Sequence, residues 1–205
     1  MTIHTLFPTQ IYVAPLLTKG GAAFTRRLAR SCRQVSADDR AGQKWSARRY
    51  PGGYTSYNSL PRLQQMLPLF EQLERHIDRH VTRFVKLLDF DLAGRVLTMT
   101  DCWLNVMPQQ VVHTNHMHPL ATVSGTFYVE TPPGCAGLKV EDPRLDRYMA
   151  APPRKSPARR ANQTWVEFPA HAGHLILFES WLRHEVPPNQ SKAQRVSVSF
   201  NYAWF

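Results

Sequence analysis

The 205-residue sequence is short of cysteine, of long apolar runs and of acid. Its three cysteines (Cys32, Cys102 and Cys135) are odd in number, widely spaced and form no CxxC pair. That excludes a disulfide framework and a cysteine zinc site, and fits a reducing cytoplasm. No stretch approaches twenty apolar residues and no basic-then-apolar leader opens the chain, so neither a membrane span nor a signal peptide is expected. No internal repeat is present. Fifteen acidic residues face 25 Lys and Arg, a net charge of +10. The excess base points to an anionic substrate or nucleic acid, although a solvated basic surface is the plainer explanation.

A hydrophobic content of 43% suffices to bury a core, and the length suits one domain. Leu6 to Leu16 is apolar and proline-interrupted, an edge strand or extended arm. Residues 20–35 suggest a short basic helix, and the Arg-, Gly-, Ser- and Tyr-rich stretch 40–59 a loop. From Pro61, apolar residues between Leu63 and Leu88 recur at helical spacing, with Pro68 placed to kink or split the helix. His76 and His80, four apart, read as a helix-surface pair. Beyond Val96 the texture changes to short strands: Val96–Met107, Thr122–Glu130, Gly137–Glu141, Thr164–Phe168, His174–Phe178 and Arg195–Trp204. Such a run suggests a sandwich or barrel of the jelly-roll kind. Residues 143–163 carry six basic side chains and four prolines, which makes them a long loop, either a lid or disordered.

Six of the nine histidines lie between 113 and 184. His116 and His118, two apart, project to one side of an extended chain, and neutral imidazole suits iron, copper, nickel or zinc. The last strand alternates Val196, Val198, Phe200, Tyr202 and Trp204 with Arg195, Ser197, Ser199 and Asn201. If both faces are buried, the polar face must meet an anion or a polar network, because a buried unpaired Arg is costly. Arginine beside a hydroxyl is a good carboxylate receptor.

The run from His116 to Asn201 resembles the double-stranded β-helix oxygenases that use iron(II) and 2-oxoglutarate. His116 stands at the first-ligand position, His184 at the distal one, and Arg195 with Ser197 forms the R-x-S motif eleven residues later. A closer likeness is to a bacterial and phage branch of these enzymes. Its marks here are His116-Met-His118-Pro119, Ser124-Gly-Thr-Phe-Tyr128-Val129, Gly137 to Arg144 with Asp142-Pro-Arg144, and Ser180-Trp181-Leu-Arg-His184 to Asn189. The N-terminal Leu6-Phe-Pro also matches.

The resemblance implies a mainly β (α+β) fold, a jelly-roll or cupin-like double-stranded β-helix over 96–205 with the 143–163 loop, buttressed by an arm and helices in 1–95. It implies iron(II) as metal and 2-oxoglutarate as cosubstrate, which is oxidatively decarboxylated to succinate while the substrate is hydroxylated. His118 stands where the wider superfamily has a carboxylate. The iron then sits on His116, His118 and His184, or Asp142 swings in as third ligand; three histidines are favoured, with Asp142 then orienting a ligand or simply making a turn. Arg195 and Ser197 would hold the cosubstrate's tail, with Asn105 and Tyr128 within reach of it. Arg144, Arg154 and Trp181 are candidates for substrate contact or the lid, Trp181 being also a candidate for the core. The expected partner is a small molecule or peptide, anionic or neutral, acted on by a monomer or homodimer in the cytoplasm without membrane contact. Two other readings stay open: a three-histidine cupin-type dioxygenase that does not use 2-oxoglutarate, and, ranked last, a basic nucleic-acid-binding module.

Overall fold

Among residues 1–204, which the computed structural model describes, helices and strands divide the chain near residue 96. Pro68 does split the first helical stripe. Leu67 is extended (φ −131°, ψ 123°), so α3 (Leu63–Met66) stops and α4 (Pro68–Leu87) restarts with proline in its first turn, where no N–H is needed. Phe70, Leu73, Ile77, Val81, Phe84 and Val85 form the buried stripe of α4. α1 (Gly21–Asp38) supplies Phe24, Leu28, Cys32 and Val35 to the same core.

Residues 40–59 differ from the expected loop. Arg40–Arg49 form α2, whose first turn is capped by the Asp39 carboxylate accepting from the Gly42 N–H at 2.9 Å. The segment lacks an apolar stripe, so periodicity could not reveal it. His80 is also no surface residue: its Nε2–H donates to the Leu16 carbonyl (3.0 Å) and its Nδ1 accepts from the Tyr12 hydroxyl (2.9 Å). The arm that carries those partners, β1 (Ile11–Pro15), pairs with the edge of the larger sheet.

That sheet has the order β1, β8 (His174–Glu179), β5 (Val123–Glu130), β10 (Arg195–Trp204), β3 (Leu97–Met107), β2 (Tyr54–Thr55). The smaller sheet runs β4 (His113–His116), β9 (His184–Val186), β6 (Leu138–Glu141), β7 (Trp165–Phe168). All pairings are antiparallel. Two opposed antiparallel sheets make the double-stranded β-helix core, with the helices on the outer face of the larger sheet. β4 and β9 had no place in the strand reading, being short and rich in histidine and polar residues.

Alternation along the central strands divides the cores. Val196, Val198, Phe200 and Tyr202 of β10, with Cys102, Leu104 and Val106 of β3, face α1 and α4. Ile176 and Phe178 of β8, with Leu138, Val140 and Val186 of the smaller sheet, fill the space between the sheets. Residues 143–163 hold only two single-turn 3-10 segments. Among the described residues no helix is long and apolar enough to cross a membrane.

Gly125 of β5 marks the tightest backbone approach in this sheet: an added Cβ would lie 2.5 Å from the Ile176 carbonyl and 2.7 Å from the Phe200 ring. Gly125→Ala should therefore cost about 1–3 kcal/mol by overpacking. A lowered urea midpoint with unchanged slope is the expected reading, and an unchanged midpoint would refute this packing.

Candidate metal centre and cavity

β4 and β9 pair with His116 opposite His184, which puts two imidazoles at one level of the smaller sheet, 4.3 Å apart between ring centroids. His118 lies beyond the end of β4, so strand alternation does not place it. Its backbone N–H donates to the Ser180 carbonyl at 2.9 Å, which turns the ring to within 5.3 Å of His116 and 5.1 Å of His184. One ligand-capable nitrogen from each of the three lies within 4.8 Å of the others.

The backbone fixes which nitrogen is free. His116 Nδ1 is 2.7 Å from the Thr114 carbonyl and His184 Nδ1 is 2.8 Å from the Leu182 carbonyl. A carbonyl only accepts, so both Nδ1 atoms carry the proton and each Nε2 keeps its lone pair. His118 Nδ1 meets the Ser124 hydroxyl at 2.7 Å. Burial, then the neighbouring His116, pushes His184 down to about 3 and His118 down to about 4. Both are thus neutral at physiological pH, the form in which imidazole binds a metal. Three imidazoles converging in this way suit a first-row divalent metal such as iron(II).

Beside them opens a cavity of about 680 Å³ between the sheets. Its floor is the polar face of β10 and its neighbours: Ser197 lies opposite Asn105 and Tyr128, Ser199 opposite Trp103 and Thr126, Asn201 opposite Asp101 and Ser124. Arg195, at one end, is 2% exposed. One of its terminal nitrogens donates to Ser197 Oγ at 3.2 Å and touches Met107 Sδ at 3.2 Å. The guanidinium lies over the Tyr128 ring at 5.0 Å, and its Nε has no partner. Among the described residues no carboxylate comes within 4 Å of it. Buried polar atoms without partners gather around it: the Tyr50 and Tyr128 hydroxyls, His113 Nε2 and Asn105 Oδ1. Burial pushes both phenols up, so each keeps its proton, while burial and then Arg195 push His113 down to about 3.

Of the residues singled out from sequence, His116, His118, His184, Arg195, Ser197 and Asn105 line this cavity, and Tyr128 lies against Arg195. Asp142 does not join the histidine cluster. Its carboxylate accepts from the Arg144 backbone N–H (3.0 Å) and guanidinium (3.0 and 2.8 Å) and from the Tyr148 hydroxyl, which holds it down at about 2. Arg144 and Arg154 flank the Tyr148 ring on the exposed loop, and neither they nor Trp181 line the cavity. Trp181 is 45% exposed and so is no core residue either.

Tyr50 and His113 escaped the sequence reading. Tyr50 follows α2, the helix that periodicity could not find, and stacks on His113 with centroids 4.5 Å apart. The outer part of the cavity lining carries Trp45, Arg49, Tyr57 and Leu120; Tyr57 is 51% and Leu120 95% exposed. An unusual density of aromatics in 45–57 was the available signal.

Residues 101–201, which include all three histidines and Arg195, match the family model described as "Putative 2OG-Fe(II) oxygenase". Residues 101–201 belong to this oxygenase family. The protein is a non-haem, iron(II)- and 2-oxoglutarate-dependent dioxygenase, and the three-histidine group suits the metal. No curated protein matches the oxygenase significantly. Among solved structures, the fold is similar to that of the non-haem α-ketoglutarate-dependent epimerase SnoN from nogalamycin biosynthesis, with a TM-score of 0.65 at 16% identity over 95% of this chain and 76% of that one. It is similar also to a Pseudomonas putida prolyl-4-hydroxylase (TM-score 0.56, 17% identity, 96% and 94% covered). HygX from Streptomyces hygroscopicus, crystallised with nickel and 2-oxoglutarate, gives a TM-score of 0.61 at 14% identity, with 95% and 83% covered. These likenesses bear on the fold.

The depressed histidines make the metal-free oxygenase acid-sensitive. Below the ordinary histidine value of 6.5 the unfolded chain binds protons that folded His118 and His184 do not, so stability falls as pH falls towards 4. Urea midpoints measured from pH 7.5 to 5 should decline, and His184→Gln should flatten the decline. Parallel profiles for the two proteins would contradict the burial described.

Proposed function

We propose that His116, His118 and His184 hold the iron, and that Arg195 with Ser197 receives the distal carboxylate of 2-oxoglutarate. The observation that carries this is the buried guanidinium without a carboxylate, ringed by unpartnered hydroxyls and set in the same cavity as three converging imidazoles. A charge buried alone costs several kcal/mol, so a site of this composition calls for an anion. A dicarboxylate with one end on Arg195 and the other towards the histidines answers both halves. Tyr50 and Tyr128 then donate hydroxyl protons to the bound carboxylate, His113 packs against Tyr50 at its edge, and Asn105 contributes from β3. Asp142 is left out of the ligand set, because its oxygens are already engaged by Arg144 and Tyr148.

Bound iron(II) with 2-oxoglutarate supplies the oxidising chemistry, which consumes oxygen, releases succinate and carbon dioxide and hydroxylates the substrate. The chain's part is placement. The imidazoles keep their Nδ1 protons on backbone and serine acceptors, so each ring is held still and presents one lone pair. The apolar wall of Phe178, Leu138 and Val186 restricts water near the reacting atoms. The mouth, with its exposed Tyr57 and Leu120 and the Arg49 guanidinium, fits a small molecule that has an apolar face and an anionic group. A cavity of this size is in the usual range for small ligands, and SnoN, named for nogalamycin biosynthesis, supports a small molecule over a folded partner. Residues 96–205 carry the three histidines and Arg195, while 1–95 buttress them and add Tyr50 and part of the mouth, within one oxygenase domain. Three free cysteines fit a reducing cytoplasm.

Arg195→Ala removes a buried, hydrogen-bonded charge and should cost about 2–5 kcal/mol of cosubstrate binding. Calorimetry with Ni(II)-loaded protein and 2-oxoglutarate should show at least about a 30-fold higher Kd, while the Ni(II) affinity itself stays within about three-fold. Tyr50→Phe should weaken the same binding by about ten-fold or more, the loss of a hydrogen bond to a charged group. Unchanged 2-oxoglutarate affinity in Arg195→Ala would contradict the assignment, as would the absence of 2-oxoglutarate-dependent succinate release by the wild type with Fe(II) and ascorbate.

A further inference from the structure

His118 differs from the other two histidines, because its Nδ1 meets a serine hydroxyl, which can donate or accept. Its tautomer therefore depends on where the Ser124 proton points. Ser124 Oγ has three neighbours: His118 Nδ1 at 2.7 Å, Ser180 Oγ at 2.7 Å and Asn201 Oδ1 at 2.8 Å. Beyond them, Asn201 Nδ2 lies 3.4 Å from Asp101 Oδ2, which also accepts from the Thr100 hydroxyl at 2.8 Å. Ser124 and Ser180 are fully buried and Asn201 is 7% exposed, so bulk water does not substitute for the links among these three.

The Asp101 carboxylate can only accept, so it takes the Asn201 NH2 group and leaves Asn201 Oδ1 facing Ser124. Oδ1 can only accept, so it takes the single Ser124 proton. Ser124 Oγ is then an acceptor towards His118, whose Nδ1 must carry the proton, and His118 Nε2 keeps its lone pair. With an amide in place of Asp101 the first restriction disappears. Asn201 can turn over, Ser124 can donate to His118 Nδ1, and the proton moves to Nε2, where it blocks a metal.

We propose that Asp101 is a positioning residue that sets the metal-competent tautomer of His118 through Asn201 and Ser124. The inference rests on the three-histidine reading above. It also places a carboxylate behind the one imidazole that stands where the wider superfamily has a carboxylate ligand, so negative charge enters the centre one layer further out.

The test uses Asp101→Asn, Ser124→Ala and Ser124→Thr, with His184→Ala as the control for the metal site. Ni(II) affinity is measured by calorimetry on the full chain, and the tautomers of metal-free protein by long-range 15N–1H correlation of the histidine rings. Wild type should bind one Ni(II), and His184→Ala should abolish that. Asp101→Asn and Ser124→Ala should each bind Ni(II) about 10–100-fold more weakly, and Ser124→Thr, which keeps the hydroxyl, within about three-fold of wild type. In the metal-free spectra, His118 should be protonated at Nδ1 in wild type and partly at Nε2 in Asp101→Asn, while His116 and His184, held by carbonyls, stay as they are. If wild type binds no Ni(II), or His184→Ala binds it as well as wild type does, the metal reading falls and this inference with it. If His184→Ala loses the metal but Asp101→Asn matches wild type in affinity and tautomer, the relay alone is overturned. An Asp101→Asn protein too unstable to assay leaves Ser124→Ala against Ser124→Thr to decide in the same terms; equal affinity in those two would also overturn it.

Discussion

Burial of β10 on both faces is the constraint from which the rest follows. One face presents Val196, Val198, Phe200 and Tyr202 to the helices, where apolar packing of α1 and α4 covers them. The other presents Arg195, Ser197, Ser199 and Asn201 to the space between the sheets. A strand in that position cannot leave its polar side chains to bulk water, so each must find a partner or wait for one. Asn201 and Ser199 find theirs in Ser124, Asp101, Asn105 and Thr126. Arg195 finds only a hydroxyl, a thioether and an aromatic face. A central strand that carries an uncompensated cation is costly to the fold by itself, and the dicarboxylate proposed to bind there would remove that cost. On that reading stability and cosubstrate recognition are tied to one side chain.

The metal centre obeys a related rule at the opposite end of the same polar face. Desolvation keeps His118 and His184 uncharged, and acceptors fixed by the backbone hold Nδ1 of His116 and His184. His118 is the exception, oriented through side chains that belong to β5 and β10. On the proposed reading the larger sheet contributes both the receptor for the cosubstrate's tail and the orientation of one metal-facing ring. A ligand set without a carboxylate would leave a bound cation's charge less compensated, which favours an anionic cosubstrate beside it.

Much of this was legible in the sequence, and the reasons are specific. β10 could be read to its observed ends because ten residues of strict alternation leave no other period. The α3–α4 break was written in Pro68. The metal-facing histidines and Arg195 could be found because their order along the chain carries the family pattern. What escaped has no periodic signal. α2 has no apolar stripe and is fixed by the Asp39 cap and by the contacts of Trp45 and Tyr50. β4 and β9 are too short to alternate, and His118 is placed by a long-range bond to Ser180 rather than by strand geometry. His80 looked exposed because the arm that buries it lies 64 residues away in sequence. Asp142-Pro-Arg144 behaves as a turn, with its carboxylate folded back on the Arg144 N–H, the plainest of the three roles its sequence allowed. The basic loop, expected as a lid or a disordered segment, keeps Arg144 and Arg154 on Asp142 and Tyr148 and off the cavity lining.

The central claim is that one cavity joins three imidazoles to a guanidinium through a metal and a dicarboxylate. A crystal structure of the oxygenase grown anaerobically with Fe(II) and 2-oxoglutarate, with anomalous scattering recorded at the iron edge, tests it most directly. The account predicts one anomalous peak within about 2.0–2.3 Å of a nitrogen of His116, His118 and His184, with the cosubstrate's far carboxylate in hydrogen-bond contact with Arg195 and Ser197. A peak bound by Asp142 in place of His118, or a cosubstrate lying away from Arg195, would contradict it.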